Sequence, residues 1–208
     1  LLGVLEARCG TSSPRREEGM SALADIGSQL ALFLKRQRAE ADLQRLARYD
    51  SLTGLPNRSF FLDTLERTLL RAAHRHSRAA LVFLDLDGFK AVNDTYGHAA
   101  GDRVLQELGL VLKRAKRETD LVARFGGEEF CVLCEETDAR GARLLAERVR
   151  EELEGTELVT ELGPLKVTAS LGVATFPDHA STAEELFAQG DKALYEAKNR
   201  GRNQVCTV

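Results

Sequence analysis

The sequence predicts an α/β fold: a mixed central sheet flanked by helices and preceded by a long amphipathic helix. Three observations carry this reading. From Asp50 onward, helical and strand-like segments alternate to the end of the chain. Two of the strand-like runs return directly on one another at Gly126-Gly127, so the sheet must be partly antiparallel. Before Asp50, the stretch MSALADIGSQLALFLKRQRAEADLQRLARYD carries apolar residues at helical spacing without a turn signal.

Taken in order, a strand (GVLEA) and a Gly/Ser/Pro/charge loop over residues 10–19 lead into that helix. Leu23, Ile26, Leu30 and Phe33 follow a three-four spacing, as do Ala39, Leu43 and Leu46, the second set offset by one residue. A broken heptad of this kind suits a dimeric stalk or a helix packed on its own domain. Next, DSLTGLPNRSFFLDTLERTLLRAAHRH opens with turn residues and continues as a helix, and AALVFLDLD is a short apolar strand ending in carboxylates. GFKAVNDTYGHAAGDRVLQELGLVLKRAKRETD reads as helix interrupted at Gly97 and Gly101. In RFGGEEFCVLC the two glycines signal a tight hairpin with positive φ and a bare tip. A helix (DARGARLLAERVREELEG), a strand pair (ELVTELG and LKVTASLGVATF) and a final helix (STAEELFAQGDKALYEAKNRGRN) complete the chain. The boundaries implied are an appendage over residues 1–48 and a main domain over 49–208.

Composition narrows the function. The 208 residues are 43% hydrophobic and 29% charged, as in a globular protein. No apolar run reaches the roughly 18 residues that a membrane helix needs. Net charge is −3 despite 22 arginines, so bulk charge does not favour nucleic acid as a partner. The chain opens LLGVLEARCG without an initiator Met and reads as part of a longer protein. Cys131 and Cys134 fall on opposite faces of one strand, with Cys9 and Cys206 isolated, a pattern of reduced, packed thiols that points to the cytoplasm. A longer parent could still be tethered to a membrane.

The chemistry-bearing residues fall in four places. Asp85 and Asp87 are two apart where an apolar strand ends, which makes a hard-oxygen pair suited to Mg²⁺ or an ordinary polar strand exit. Lys90, Asp94 and His98 recur every four residues and should share a helix face, with Asn93 and Asp102 nearby. An Asn amide and an Asp carboxylate together can read a guanine edge. Glu128 and Glu129 follow the bare Gly126-Gly127 backbone, where a phosphate-bearing ligand and its metal could come close. Lys198 and Arg202, four apart near a helix terminus, could clamp phosphates or complement the helix dipole.

DSLTGLPNR (50–58), DLDGFKAVNDTYGHAAGD (85–102), ARFGGEEF (123–130) and DKALYEAKNRGRN (191–203), in this order and at these separations, closely resemble the GGDEF family of diguanylate cyclases, here with a GGEEF hairpin. The resemblance covers roughly residues 48–208, and residues 1–48 resemble the end of a GAF-type sensor domain followed by a linker helix. It implies a fold like the polymerase palm and the class III nucleotidyl cyclases. It also implies condensation of two GTP into cyclic di-GMP and two pyrophosphates by a homodimer holding one GTP per subunit. By position, Asp85, Glu128 and the Leu86 carbonyl are implied metal ligands for Mg²⁺, or Mn²⁺. Lys90, Glu128 and Glu129 are implied catalytic groups. Asn93, His98, Asp102, Gly126, Gly127, Lys198 and Arg202 are implied substrate contacts. Arg117 and Asp120 match an Arg-x-x-Asp inhibitory site for the product. A catalytically silent receptor for GTP or cyclic di-GMP is the alternative, although such members usually lose a hairpin residue that this chain keeps.

Overall fold

The computed structural model describes residues 15–160 and 162–208, with side chains from Ile26 onward except at positions 41 and 42. The expected GVLEA strand, Cys9 and residues 10–14 of the expected loop lie outside the described residues. The chain divides into two compact units, residues 1–46 and 47–208. Helix α1 runs Arg15–Arg48, so residues 15–19 are helical rather than loop. Along it Ile26, Leu30 and Phe33 are exposed, and so are Leu43 and Leu46. Leu32 and Leu34 are exposed too, which spreads the apolar surface beyond a single stripe.

The second unit is built on a five-stranded sheet of order β2-β3-β1-β6-β7. Its strands are β1 (Ala79–Leu86), β2 (Leu121–Arg124), β3 (Glu129–Glu135), β6 (Ala169–Phe176) and β7 (Val205–Thr207). The central strand β1 is antiparallel to both β3 and β6, while β6 and β7 are parallel. A separate hairpin pairs β4 (Glu157–Thr160) with β5 (Gly163–Lys166). The segment expected as one strand, LKVTASLGVATF, is therefore two, and the short β7 has no counterpart in the sequence reading.

Alternation along β1 sorts the core into two layers. Ala80, Val82, Leu84 and Leu86 face one layer with α4 (His98–Ala115) and α5 (Ala139–Gly155). Leu81 and Phe83 face the other with α2 (Arg58–Arg75) and α6 (Ala183–Asn199). Burying each such Leu or Phe contributes about 1.5–3 kcal/mol. Cys134 and Cys131 fall in opposite layers, as their spacing requires. The elements start where their side chains satisfy free N–H groups: Asn57, Asp138 and Thr182 accept from Phe60, Gly141 and Glu185.

Two expectations for the segment after β1 are corrected. Helix α3 (Phe89–Tyr96) ends at Gly97, whose φ of 79° a β-carbon would oppose, and α4 begins at His98. Lys90 and Asp94 thus share a helix that His98 does not. Gly101 interrupts nothing, because it lies inside α4. Its bareness serves packing: a β-carbon there would fall on the Asn93 amide oxygen and crowd the Phe89 ring.

Candidate active site

The site forms where β1 and the β2–β3 hairpin end side by side. Asp85 pairs in register with Glu129 across β1–β3 and with Ser170 across β1–β6, and the Leu86 N–H donates to the Glu128 carbonyl at 3.4 Å. By strand parity Asp85 faces the α2/α6 layer, so α6 can reach it. The Lys198 ammonium lies 2.9 Å from Asp85 Oδ1. Asp85 is only 6% exposed, and burial pushes its carboxyl above the usual carboxylate range against the pull of Lys198. Glu128 is likewise pushed up, first by burial and then by the negative charge of Asp85. Two neighbouring carboxylates, with the Lys198 ammonium paired to Asp85, favour a further cation.

The hairpin glycines work differently from their sequence reading. Neither Gly126 nor Gly127 has positive φ. Gly126 is bare because a β-carbon would collide with the Glu129 carboxylate, whose Oε2 lies over it. At Gly127 a β-carbon would meet nothing within 4 Å, so that side of the tip is open. From behind, Arg124 fixes the loop, donating to the Gly127 carbonyl from Nε at 3.2 Å and Nη2 at 2.7 Å. Its Nη1 meets both oxygens of Asp50 at 3.2 Å. Burial opposes the charge of Asp50, but hydrogen bonds from the Thr53 hydroxyl and N–H and from Arg124 outweigh it and hold its carboxyl below the usual range. Under the hairpin, Phe125 stacks on Phe187 at 4.6 Å and meets Phe83 edge-on at 5.7 Å. Arg58 sits over the Phe125 ring at 4.8 Å.

The remaining expected residues are distributed around this centre. Lys90 is exposed in the first turn of α3, whose N-cap, Gly88, supplies no side-chain hydrogen bond. Asn93 lies across Gly101, one residue before the exposed Asp102, so the α3–α4 corner brings these two together. His98 is exposed at the start of α4. Arg202 lies beyond the end of α6, in a turn where its φ is 65°, rather than on the helix with Lys198. Asp87 is separated from Asp85 in role, because both of its oxygens are hydrogen-bonded to protein groups.

Arg117 and Asp120 close on each other away from this centre. The Arg117 N–H donates to Asp120 Oδ2 at 2.8 Å, and the Asp120 N–H to the Arg117 carbonyl at 3.2 Å. Asp120 is buried and its Oδ1 has no hydrogen-bond partner among the described residues. A cavity of about 420 Å³ opens there, lined by Arg114, Lys116, Arg117, Asp120 and Arg148 among others.

Sequence reasoning passed over Asp50 and Arg124, although both lie in quoted motif segments. An Arg two residues before the bare hairpin glycines, whose carbonyls need donors, was the available signal. It also passed over Asp191, Lys192 and Tyr195, which with Glu129 and Lys198 line a cavity of about 290 Å³ beside α6. Exposed helix residues of this kind carry no distinguishing pattern.

Known proteins resemble this chain in sequence and in fold. The bifunctional diguanylate cyclase/cyclic di-GMP phosphodiesterase MucR of Pseudomonas aeruginosa is 40% identical over 81% of this chain. The match takes in 24% of MucR, so the chain spans about a quarter of that relative's length. The structure of the coiled coil and GGDEF domain of DgcB from Caulobacter crescentus, in complex with c-di-GMP, superposes with a TM-score of 0.79 at 29% identity. It covers 90% of this chain and 100% of that one. The active GGEEF domain of a diguanylate cyclase from Vibrio cholerae superposes at 0.69 with 28% identity, covering 73% of this chain and 96% of its own. Residues 47–204 match the family described as diguanylate cyclase, GGDEF domain, and the chain belongs to that family.

Proposed function

We propose that the chain is a diguanylate cyclase, joining two GTP into cyclic di-GMP with release of two pyrophosphates. The observation that carries this is the convergence of Asp85, Glu128 and Lys198 beside a hairpin tip open at Gly127. Asp85, Glu128 and the Leu86 carbonyl offer the hard oxygen donors that Mg²⁺ or Mn²⁺ takes, and their crowded charge fits such an ion. When bound, it would supply Lewis-acid stabilisation of phosphoryl charge.

The protein's own groups do the rest by positioning. Asn93 and Asp102 at the α3–α4 corner read the guanine edge, with His98 beside them. Lys90, Lys198 and Arg202 hold the phosphates, and the uncapped N–H groups at the start of α3 face the same task. Glu129 orients the 3′-hydroxyl that attacks the α-phosphate of the second GTP. Pyrophosphate leaves, and a second attack of the same kind closes the ring. One chain holds one GTP, so two copies must face each other, and residues 1–48, as a linker following a sensor-like segment, are suited to hold them. The exposed apolar residues of α1 support pairing with a second copy, and the DgcB structure includes a coiled coil.

Incubation of the purified chain with GTP and Mg²⁺, with products separated chromatographically, tests the reading. Cyclic di-GMP and pyrophosphate in a 1:2 ratio are expected; intact GTP would favour a silent receptor.

Product inhibition belongs to the same proposal. The unsatisfied Asp120 oxygen and the Arg117 guanidinium border a cavity able to take a guanine edge and a phosphate. Arg117→Ala should weaken cyclic di-GMP binding by at least about tenfold in calorimetry and relieve inhibition, with the initial rate unchanged. Equal binding by the variant removes Arg117 from the site.

A further inference from the structure

Asp87 is the acidic residue of the DLD segment that the reaction as described leaves without a task. Its carboxylate takes three donors from two segments distant in sequence. The Ser170 hydroxyl donates to Oδ1 at 2.7 Å, the Thr168 hydroxyl to Oδ2 at 2.8 Å, and the Asn203 N–H to Oδ2 at 3.0 Å. Its own N–H donates to the Thr168 carbonyl at 2.9 Å. A carboxylate spent in this way has little left for a metal ion.

The third donor matters most. Arg202 and Asn203 are consecutive non-glycine residues in the left-handed region, with φ of 65° and 46°. Side chains disfavour that conformation, so the surroundings must impose it. On one side Asp87 grips the Asn203 N–H. On the other, α5 holds the Asn203 amide: its Nδ2–H donates to Glu154 Oε1 at 2.8 Å, and its oxygen accepts from Arg150 at 3.1 Å. Arg202 itself is tied only through its backbone, its N–H donating to the Ala197 carbonyl and its carbonyl accepting from Gln204. Its guanidinium is exposed and makes no hydrogen bond or ion pair among the described residues. The turn therefore presents a free cation just past Lys198, while its anchor is two residues past Asp85.

Resting on the cyclase reading, we infer that Asp87 is a positioning residue: it locks the 200–204 turn against the end of β1 so that Arg202 meets the nucleotide phosphates, and it ligates no metal. The two strand-end aspartates divide the labour, Asp85 serving the cation and Asp87 the phosphate grip.

The test uses the whole chain and two readouts besides turnover. The first is calorimetric affinity, in Mg²⁺, for a GTP analogue with a methylene between the α- and β-phosphorus, which cannot release pyrophosphate. Asp87→Ala and Arg202→Ala should each weaken it about tenfold, and the double variant no further than the worse single one. Asp87→Asn should stay within about threefold of the parent, because the amide oxygen still takes the Asn203 N–H and the hydroxyls can turn to accept. The second readout is Mn²⁺ affinity by paramagnetic resonance without nucleotide: Asp87→Asn should match the parent, while Asp85→Asn loses affinity.

Losses that multiply in the double variant, or Mn²⁺ weakened as much by Asp87→Asn as by Asp85→Asn, overturn the inference. Should Asp87→Ala not fold, Glu154→Ala, which frees the turn from the α5 side, replaces it in the cycle with Arg202→Ala under the same criterion. Absence of analogue binding by the parent also overturns it. A parent that binds the analogue yet makes no product from GTP refutes the cyclase reading alone.

Discussion

Glu128 carries a conflict between folding and chemistry. Burial and the neighbouring Asp85 raise its pKa, so the fold prefers it protonated. A raised carboxylate contributes stability below its unfolded pKa, and that contribution is lost as pH rises through its folded value. At neutral pH without metal, Glu128 and Asp85 thus weaken the fold that holds them. Glu128→Gln should lower turnover by about 100-fold or more through loss of a ligand charge. It should at the same time raise the melting temperature of the metal-free protein at pH 7.5, an advantage that shrinks toward pH 4. A variant of near-parental rate would remove Glu128 from the metal site. An unchanged melting temperature at pH 7.5 would remove the electrostatic conflict. The buried thiols present no such conflict: burial pushes both Cys131 and Cys134 far up, which keeps them protonated and inert.

At the scale of elements, the hairpin separates two reasons for a glycine. Gly126→Ala would drive a methyl into the Glu129 carboxylate, whereas at Gly127 the methyl enters open space. Neither position needs positive φ, so neither change strains the backbone. Gly126→Ala should displace Glu129 and cut kcat about tenfold or more, with little change in KM. Gly127→Ala should leave the melting temperature unchanged and raise KM for GTP, because only a ligand uses that space. Steady-state kinetics on both variants decide this, and a destabilised Gly127→Ala protein would show that the tip is not free.

The elements also show what a sequence can disclose. The β1 and β3 runs were legible as short continuous apolar stretches bounded by turn residues. The glycine hairpin was legible in place but not in conformation, since two glycines permit positive φ without requiring it. The break at Gly97 was legible, but a four-residue spacing carried across it does not keep His98 on the face of Lys90 and Asp94. The three-residue β7 is too short to show a period, and its pairing with β6 is a tertiary fact. The nearness of Asp85 and Glu128 could be placed from motif order. The pairing of Arg124 with Asp50 and the role of Asp87 could not, because they depend on partners 74 and 116 residues away in sequence.

For the molecule as a whole, the proposed reaction bears on how two copies would meet. On the proposed cyclase reading, a site holding one GTP would need a second copy opposite it, and linkage through residues 20–48 would raise the local concentration of that copy. A shortened chain beginning at Arg48 should lose specific activity at low concentration and regain it steeply as concentration rises through the micromolar range, while the full chain changes little. Specific activity independent of concentration in the shortened chain would dismiss α1 as the pairing element.

Gly172 on β6 carries one more consequence. A β-carbon there would strike the Gly190 carbonyl and the Leu194 backbone, so α6 rests main chain on main chain against the sheet. No flexible side chain lies between them to absorb an error, and the next turn of the same helix carries Lys198 to Asp85. The contact works as a machinist's datum, a hard stop from which the ammonium's position is measured. For anyone redesigning the protein, even one added methyl at Gly172 moves the ruler itself.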